Sequence, residues 1–428
     1  MIYRNNMRRL LAPALLLALV LFGISPFTSG ASAPLAPPVA PPPPSPVAGW
    51  GDNQFGQLNI PAGLNATAIS AGVTHSLALK SDGTVVGWGT DLSGTGAETP
   101  PTGLTGVMAI SAGGTVLAFL AHSLALKSDG TVVGWGNDFL GQVDIPAGLS
   151  GVTAIAAGGI FSLALKSDGT VVGWGGINPF DGTDTGVETP PAGLSGVTAI
   201  AAGGLHSLAR KSDGTVVAWG DNNFGQLDIP AGLSGVTAIA AGGTHSLALK
   251  SDGTVVGWGD NSAGQLNIPA GLSGVTAIAA GTFQSLALKS NGTVVGWGND
   301  FECISTPPSC ITGVTAITTG GGHSLTLQAQ SCVQIGCSPQ QNLSVLIAQI
   351  QALVAAGTLT QNQGAGLIDK INQVVVKLDA GQTSAACNQL NSFINQVNAF
   401  INSGALTSSQ GQSLIDGANG IKTDIGCP

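Results

Sequence analysis

At 428 residues the chain is long enough for two or three domains. Only 8% of its residues are charged while 43% are apolar, which excludes a disordered polyelectrolyte. The net charge of −9 excludes a nucleic-acid or anionic-lipid surface, since both depend on excess lysine and arginine.

Residues 1–33 read as a signal peptide. Arg4, Arg8 and Arg9 form a positive start, Leu10 to Ile24 an apolar run broken only by Pro13, and Ala31-Ser32-Ala33 a small-residue cleavage site. The run is shorter than the ~20 apolar residues a span requires, and no later segment meets that length, so no membrane span is expected after cleavage. Ten basic and twenty-two acidic residues then remain, a net of −12. Residues 34–46 (PLAPPVAPPPPSP) form a proline-rich linker, a polyproline II spacer about 40 Å long.

Residues 47–328 repeat. The clearest unit, 236–274, reads VTAIAAGGTHSLALKSDGTVVGWGDNSAGQLNIPAGLSG, a period of 39 residues. All seven tryptophans, Trp50, Trp88, Trp135, Trp174, Trp219, Trp258 and Trp297, occupy one position of it. A period near 40 with three short strands indicates a propeller or a β-solenoid. Alternation in SLALK and TVVGW predicts strands at Val236–Ala241, His245–Lys250 and Thr254–Gly259, with Ser251-Asp252-Gly253 as a tight turn. Phase decides for the ring. The array opens with only a third strand (VAGWGDN, 47–53) and stops after a second (HSLTLQ, 323–328), and the two fragments make one blade. An open solenoid would need capping repeats.

The pattern GG-x-HSLALKSDGTVVGWGDN-x-x-GQL resembles the regulator of chromosome condensation repeat family. The short period is similar to bacterial members such as the β-lactamase inhibitor protein II. The resemblance covers residues 47–328 and implies a seven-bladed propeller of small, mostly three-stranded blades. Members exchange guanine nucleotide on a small GTPase, sense signals or inhibit enzymes, and fold alone does not choose among these. The signal peptide and the acidity argue against the nuclear role.

From residue 329 aromatics nearly vanish and Gln, Asn and Ala dominate. Residues 329–339 read as a linker and 340–428 as a domain duplicated with an offset of 47 residues. Leu343, Leu346, Ile347, Ile350, Leu353 and Val354 match Leu390, Phe393, Ile394, Val397, Phe400 and Ile401, each set one face of a helix. Thr360 with Gln363, and Thr407 with Gln410, have capping-box spacing. Two helical hairpins packed as a four-helix bundle are expected. The stretch NQLNSFINQVNAFINSG resembles the FIMAH domain, a helical module of extracellular bacterial proteins. The expected fold class is therefore an all-β seven-bladed propeller followed by a small all-α domain. The six cysteines of an exported chain read as disulfides. Cys303 and Cys310 would close a local loop, while the pairing among Cys332, Cys337, Cys387 and Cys427 is open.

Catalytic chemistry is not assembled by this sequence. All five histidines, His75, His122, His206, His245 and His323, sit at one repeat position, where the other units carry Phe161 and Gln284. Repetition of that kind predicts a structural hydrogen bond, and no second histidine is left to act as a base. Lys80, Lys127, Lys166, Lys211, Lys250 and Lys289 precede the turn, and Asp82, Asp129, Asp168, Asp213 and Asp252 shape it. Asp181, Asp184 and Glu188 offer oxygen ligands of the kind calcium takes, without EF-hand spacing, and read as a polar loop. No metal and no cofactor is expected, and the chain is read as not an enzyme.

Differences between repeats carry the functional signal. The AGG-x loop after the first strand and the GDN-x-x-G loop after the third must share one face, opposite the turn. That loop face carries the insertions at 91–98, 115–120 and 178–188. It also carries Phe55, Leu92, Phe139, Phe180, Phe224 and Phe301 as candidate binding residues. The alternative is that these side chains tuck under their own loops. The expectation is a secreted scaffold that engages an extracellular or envelope protein through this face. The inhibitor version rests on the family resemblance alone. The alternative is a cell-envelope or glycan-binding adhesin.

Overall fold

The computed structural model describes residues 43–90, 94–114, 120–176, 186–299, 304–308, 311–328 and 339–427. The signal peptide, most of the proline-rich segment, Leu92, Phe180, Asp181, Asp184, Phe301, Cys303, Cys310, Cys332 and Cys337 lie outside them.

Seven antiparallel sheets follow one another along the chain. Blade 1 is Ala68–Ala71, His75–Leu79 and Val85–Gly89, and blade 2 is Val107–Gly113, His122–Lys127 and Val132–Gly136. Blade 3 is Val152–Ala157, Phe161–Lys166 and Val171–Gly175, and blade 4 is Val197–Ala202, His206–Lys211 and Val216–Gly220. Blade 5 is Val236–Ala241, His245–Lys250 and Val255–Gly259, and blade 6 is Val275–Ala280, Gln284–Lys289 and Val294–Gly298. Blade 7 joins Val314–Thr319 and His323–Gln328 to the N-terminal strand Ser45–Gly51. Val47 pairs with Leu327 and Gly51 with His323, so the ring closes by the split blade that the repeat phase predicts. The closing strand starts at Ser45, two residues before the boundary read from the repeats, because Ser45 and Pro46 pair with Ala66 and Asn65.

Each second strand is buried on both faces, which is why HSLALK tolerates so little change. Leu77, Leu124, Leu163, Leu208, Leu247, Leu286 and Leu325 are fully buried, and the seven tryptophans are nearly so. The turn between second and third strands is closed by Gly253 N donating to Lys250 O at 2.9 Å, and its positive φ of 80° falls on the glycine alone. Asp252 acts through its carboxylate, which accepts from Thr254 N at 2.9 Å. The turn aspartates thus shape the turn by side-chain hydrogen bonds as well as by backbone preference.

The C-terminal region folds as four helices, α1 Pro339–Ala355, α2 Gln361–Asp379, α3 Thr383–Asn402 and α4 Ser408–Asp424. Each packs on its neighbour in sequence and α4 returns to α1. The duplicated stripe supplies the core: Leu343, Leu346 and Ile350 meet Leu390, Phe393 and Val397. Thr360 and Gln363 form a reciprocal capping box at α2. Thr407 and Gln410 repeat its exchanges at α4, at 3.0 and 3.2 Å. Among the described cysteines, Cys387 at the start of α3 is bonded to Cys427 after α4. Replacing both by serine is expected to cost the helical domain about 4 kcal/mol, from the loop that the bond closes. Urea denaturation followed by helical circular dichroism checks this; an unchanged midpoint would show that packing alone holds the two helices.

Candidate functional site

Histidine lies between blades. His75 Nε2 meets Ser123 Oγ of the next blade at 2.9 Å, and His122 meets Ser162, His206 meets Ser246, and His245 meets Ser285 at 2.9 to 3.0 Å. His323 of blade 7 meets Ser76 of blade 1 at 2.8 Å, across the closure. Each of these serines also donates to a carbonyl in the loop that trails the preceding blade, as Ser123 does to Ala97 O and Ser246 to Gln226 O. The same carbonyl accepts from a tryptophan: Trp135 Nε1 reaches Ala97 O at 2.9 Å, and Trp258 Nε1 reaches Gln226 O at 2.9 Å. Since the serine proton is committed to the carbonyl, histidine Nε2 must carry the proton and donate. Nδ1 of His206, His245 and His323 is buried without a partner, so a second proton there would be an unsolvated charge and these imidazoles are neutral. Burial pushes the His122 and His206 pKa values down to about 4. Burial, with the like charge of a neighbouring histidine, pushes His245 and His323 to about 3. Where histidine is missing, Gln284 Nε2 bridges instead to Thr319 Oγ1 at 2.7 Å and to Gly320 O. These residues are fully buried and face no cleft. They fix the angle between blades.

The third-strand loops at 52–57, 137–142, 221–226 and 260–265 are equally well fixed. Gln57, Gln226 and Gln265 are buried, and each donates from Nε2 to the first acid of its loop: Asp52, Asp221 and Asp260, at 2.8 to 3.0 Å. Through Oε1 each accepts from the backbone, at Phe55, Phe224 and Ala263. In the loop after blade 2 the equivalent donor is Leu140 N, bound to Gln142. Register therefore corrects one equivalence. Leu140, buried, occupies the place of Phe55 and Phe224, while Phe139 stands one residue earlier at the loop tip and is 74% exposed. Phe224 is 55% exposed and Phe55 is half-buried at the same loop position.

That same loop exchanges an Asp-Asn pair for Asn-Asp. Elsewhere an asparagine amide spans the loop, as Asn222 Nδ2 does to Asp228 Oδ1 at 2.9 Å and Asn53 Nδ2 to Asn59 Oδ1 at 3.0 Å. Here Asp138 faces Asp144, and burial together with the charge of Asp144 raises the Asp138 pKa. Asp138→Asn restores the amide donor and is expected to stabilise the protein by ~0.5–1 kcal/mol at pH 7. The sign follows from the raised pKa: the carboxyl pair is tolerated when protonated, so the advantage should fade in acid. Urea midpoints of the two proteins, compared at pH 7 and in mild acid, test it.

The first-strand loops build the channel mouth. Gly114 N donates to Gly158 O, Gly159 N to Gly203 O, Gly204 N to Gly242 O, Gly243 N to Gly281 O, Thr282 N to Gly320 O and Gly321 N to Gly72 O, all at 2.9 to 3.1 Å. This belt of backbone hydrogen bonds runs from blade to blade. It explains the AGG motif, because a Cβ at Gly320 would overlap the Gly72 carbonyl oxygen and one at Gly203 would lie 2.5 Å from Gly242 O. The belt encloses a cavity of about 550 Å³ lined by Ala, Gly, Thr244, Thr282, Thr319 and a ring of larger apolar side chains, with the Thr244 and Thr319 hydroxyls donating to Asp260 and to His323 O. Val73, Leu120, Ile160, Leu205 and Phe283 stand in that ring, with Leu205 40% and Phe283 38% exposed. These residues escape a motif search because they share no single repeat position: Ile160, Leu205 and Phe283 stand just before the histidine position, Val73 stands where other repeats have the second glycine, and Leu120 lies in the 115–120 insertion.

Among the described residues no three His, Cys, Asp or Glu side chains converge to hold a metal ion, and no helix is long and apolar enough to cross a membrane.

Comparison with known proteins agrees with this architecture. Regulator of chromosome condensation (RCC1) repeats match at residues 66–95, 120–142, 152–180, 197–226, 236–265 and 275–302, and a FIMAH domain matches at 343–422. Among solved structures, Prp20p of Saccharomyces cerevisiae is similar at 20% identity and a TM-score of 0.54, with 68% of this chain and 92% of that one covered. The same yeast protein bound to Kap60 gives a TM-score of 0.53 at 20% identity, covering 67% and 90%. Human WBSCR16 gives 0.50 at 19% identity, covering 68% and 100%. No curated protein matches the chain in sequence. The repeats from residue 66 to 302 are regulator of chromosome condensation repeats in a seven-bladed propeller, and residues 343–422 are a FIMAH domain.

Proposed function

We propose that the chain is a secreted, non-enzymatic scaffold that engages a protein partner through the loop face of its propeller. The observation that carries this reading is a rigid loop face with unsatisfied apolar surface. Phe139 and Phe224 project from loops locked by buried glutamines, beside a channel mouth ringed by exposed Leu205 and Phe283. Large apolar side chains held out of the core on ordered backbone are the usual composition of a contact surface. The repeated histidines and tryptophans are occupied in holding the blades together, which supports a structural role for them over a catalytic one. Prp20p is described by its binding to Gsp1p and histones, and its complex with Kap60 is known; protein binding by the same fold supports the reading. The Cys387–Cys427 bond supports an oxidising compartment, and with it export by the N-terminal segment. Inhibition of a captured enzyme is the finer form of this proposal.

Affinity capture from the native secretome, with mass spectrometry, tests it. The double variant Phe139→Ala, Phe224→Ala is expected to lose the captured partner, by about tenfold or more in affinity, with no fall in melting temperature. Capture that is unchanged in the variant would remove the loop face from the function. Binding on a glycan array through the same residues would favour the adhesin alternative.

A further inference from the structure

The two ends of the propeller differ in charge. All seven basic residues between 47 and 328 are the six turn lysines and Arg210. Five of those lysines pair with the turn aspartates, Lys80 with Asp82 at 2.9 Å and Lys250 with Asp252 at 3.1 Å among them. Arg210 reaches Val236 O at the same end, where the next blade begins. The loop end has no lysine or arginine in its sequence, yet carries Asp52, Asp138, Asp144, Asp221, Asp228 and Asp260. The carboxylates of Asp52, Asp138, Asp221, Asp228 and Asp260 are bound by amides, hydroxyls and backbone N–H groups, which leave their charge uncompensated, and Asp144 faces Asp138.

We propose that the loop face takes a basic polypeptide segment that carries an apolar side chain into the channel mouth. The inference rests on the scaffold reading above and names the chemistry of its partner. Two independent features meet here. The wall of the mouth offers an entering group little to hydrogen-bond with, because the glycine N–H and C=O groups of the belt bond to each other from blade to blade. An inserted group is therefore apolar, and the ring of Val73, Leu120, Ile160, Leu205 and Phe283 gives it contact. The loops around the mouth carry one sign of charge only, so the flanks of the occupant are cationic. Phe139 and Phe224 are exposed on those loops and do not line the mouth, so contact with both features favours a polypeptide over a small amphiphile. A face of one charge sign also steers its partner during approach, an effect that salt weakens.

The test is fluorescence anisotropy of the full chain with three labelled synthetic peptides of equal length. One is Lys/Arg-rich with a central Leu-Phe, one has the basic residues replaced by Glu, and one has Leu-Phe replaced by Gly-Ser. The first is expected to bind at least about tenfold more tightly than either other, and to weaken as salt rises from about 50 to about 300 mM. Leu205→Ser with Phe283→Ser is expected to remove the advantage of the Leu-Phe peptide while leaving the melting temperature unchanged, since both side chains are partly exposed. Equal binding of the acidic peptide, affinity independent of salt, indifference to the Leu205 and Phe283 substitutions, or no binding of any peptide would each overturn the proposal. A partner captured through Phe139 and Phe224 by an acidic or neutral surface would also overturn it, and the scaffold reading would stand.

Discussion

Lowering the pH from 7 to 5 is expected to strip the propeller of most of its stability. His122, His206, His245 and His323 are buried and neutral, with pKa values of about 3 to 4. In the unfolded chain the same groups protonate near pH 6.5. The unfolded state therefore binds more protons than the folded state throughout the interval between. Stability is fully present above about pH 7, is lost as pH falls through 6.5, and the loss continues until the folded values are reached near pH 3. At pH 5 each histidine contributes a penalty of the order of 2 kcal/mol, and the four together about 8 kcal/mol. That is comparable to the whole stability of an ordinary domain, about 5–15 kcal/mol. The turn aspartates act in the same direction, since hydrogen bonds from Thr84 and Thr131 hold Asp82 and Asp129 below the usual carboxylate range, but only below about pH 4. An acid transition between pH 6 and 4, read by tryptophan fluorescence, thus reports the histidines. Replacing the four by Gln, the residue that blade 6 uses at Gln284, is expected to move that midpoint down by about one pH unit or more. A transition that stays in place would show that the imidazoles are not the groups being titrated.

Removal of the N-terminal strand is the second large effect. Residues Ser45–Gly51 complete blade 7, and Trp50 is the largest side chain with no exposure. A chain beginning at Asp52 loses the Trp50 contacts, its hydrogen bond to Ile304 O at 3.1 Å, and the ladder from Val47 to Gly51. The loss should exceed about 5 kcal/mol and lower the melting temperature by about 10–20 °C. It also leaves His323–Gln328 as a bare edge, open to pairing with other chains. A synthetic peptide covering Ser45–Asn53 should restore the melting temperature by occupying that edge. A truncated chain that melts like the intact one, with no response to peptide, would mean that the ring does not depend on this strand.

Much of this architecture was legible because the repeat states it seven times. One tryptophan per unit counts the blades, and the half-units at 47–53 and 323–328 foretell the closure. The repeated histidine reads as a structural bond; its partner, the serine of HSLALK in the next blade, is not visible, because only the ring brings residues 40 or more apart into contact. The loop face was legible as a face and less so as a site. Phe139 lines up by type with Phe55 and Phe224, yet the hydrogen bond from Leu140 N to Gln142 shows that Leu140 is the true equivalent. Exposure is settled by that one-residue difference, which composition does not record. The apolar ring at the channel mouth follows from Val73, Leu120, Ile160, Leu205 and Phe283 converging in space from five different repeats. Nothing in any single repeat marks them.

The split blade also sets a clock. Beyond the short pairing of Ser45 and Pro46 with Ala66 and Asn65, the strand that starts the propeller has no partner for Val47–Gly51 until His323–Gln328 has been made and delivered. At a synthesis rate of about 5–20 residues per second, that partner follows roughly 15–50 s behind. Throughout this interval the array has two open β edges at opposite ends of the sequence, and a neighbouring chain can supply the missing strand as well as the chain's own terminus can. Yield of the closed ring is therefore set by a race between intramolecular closure and exchange between copies, and dilution should favour the former.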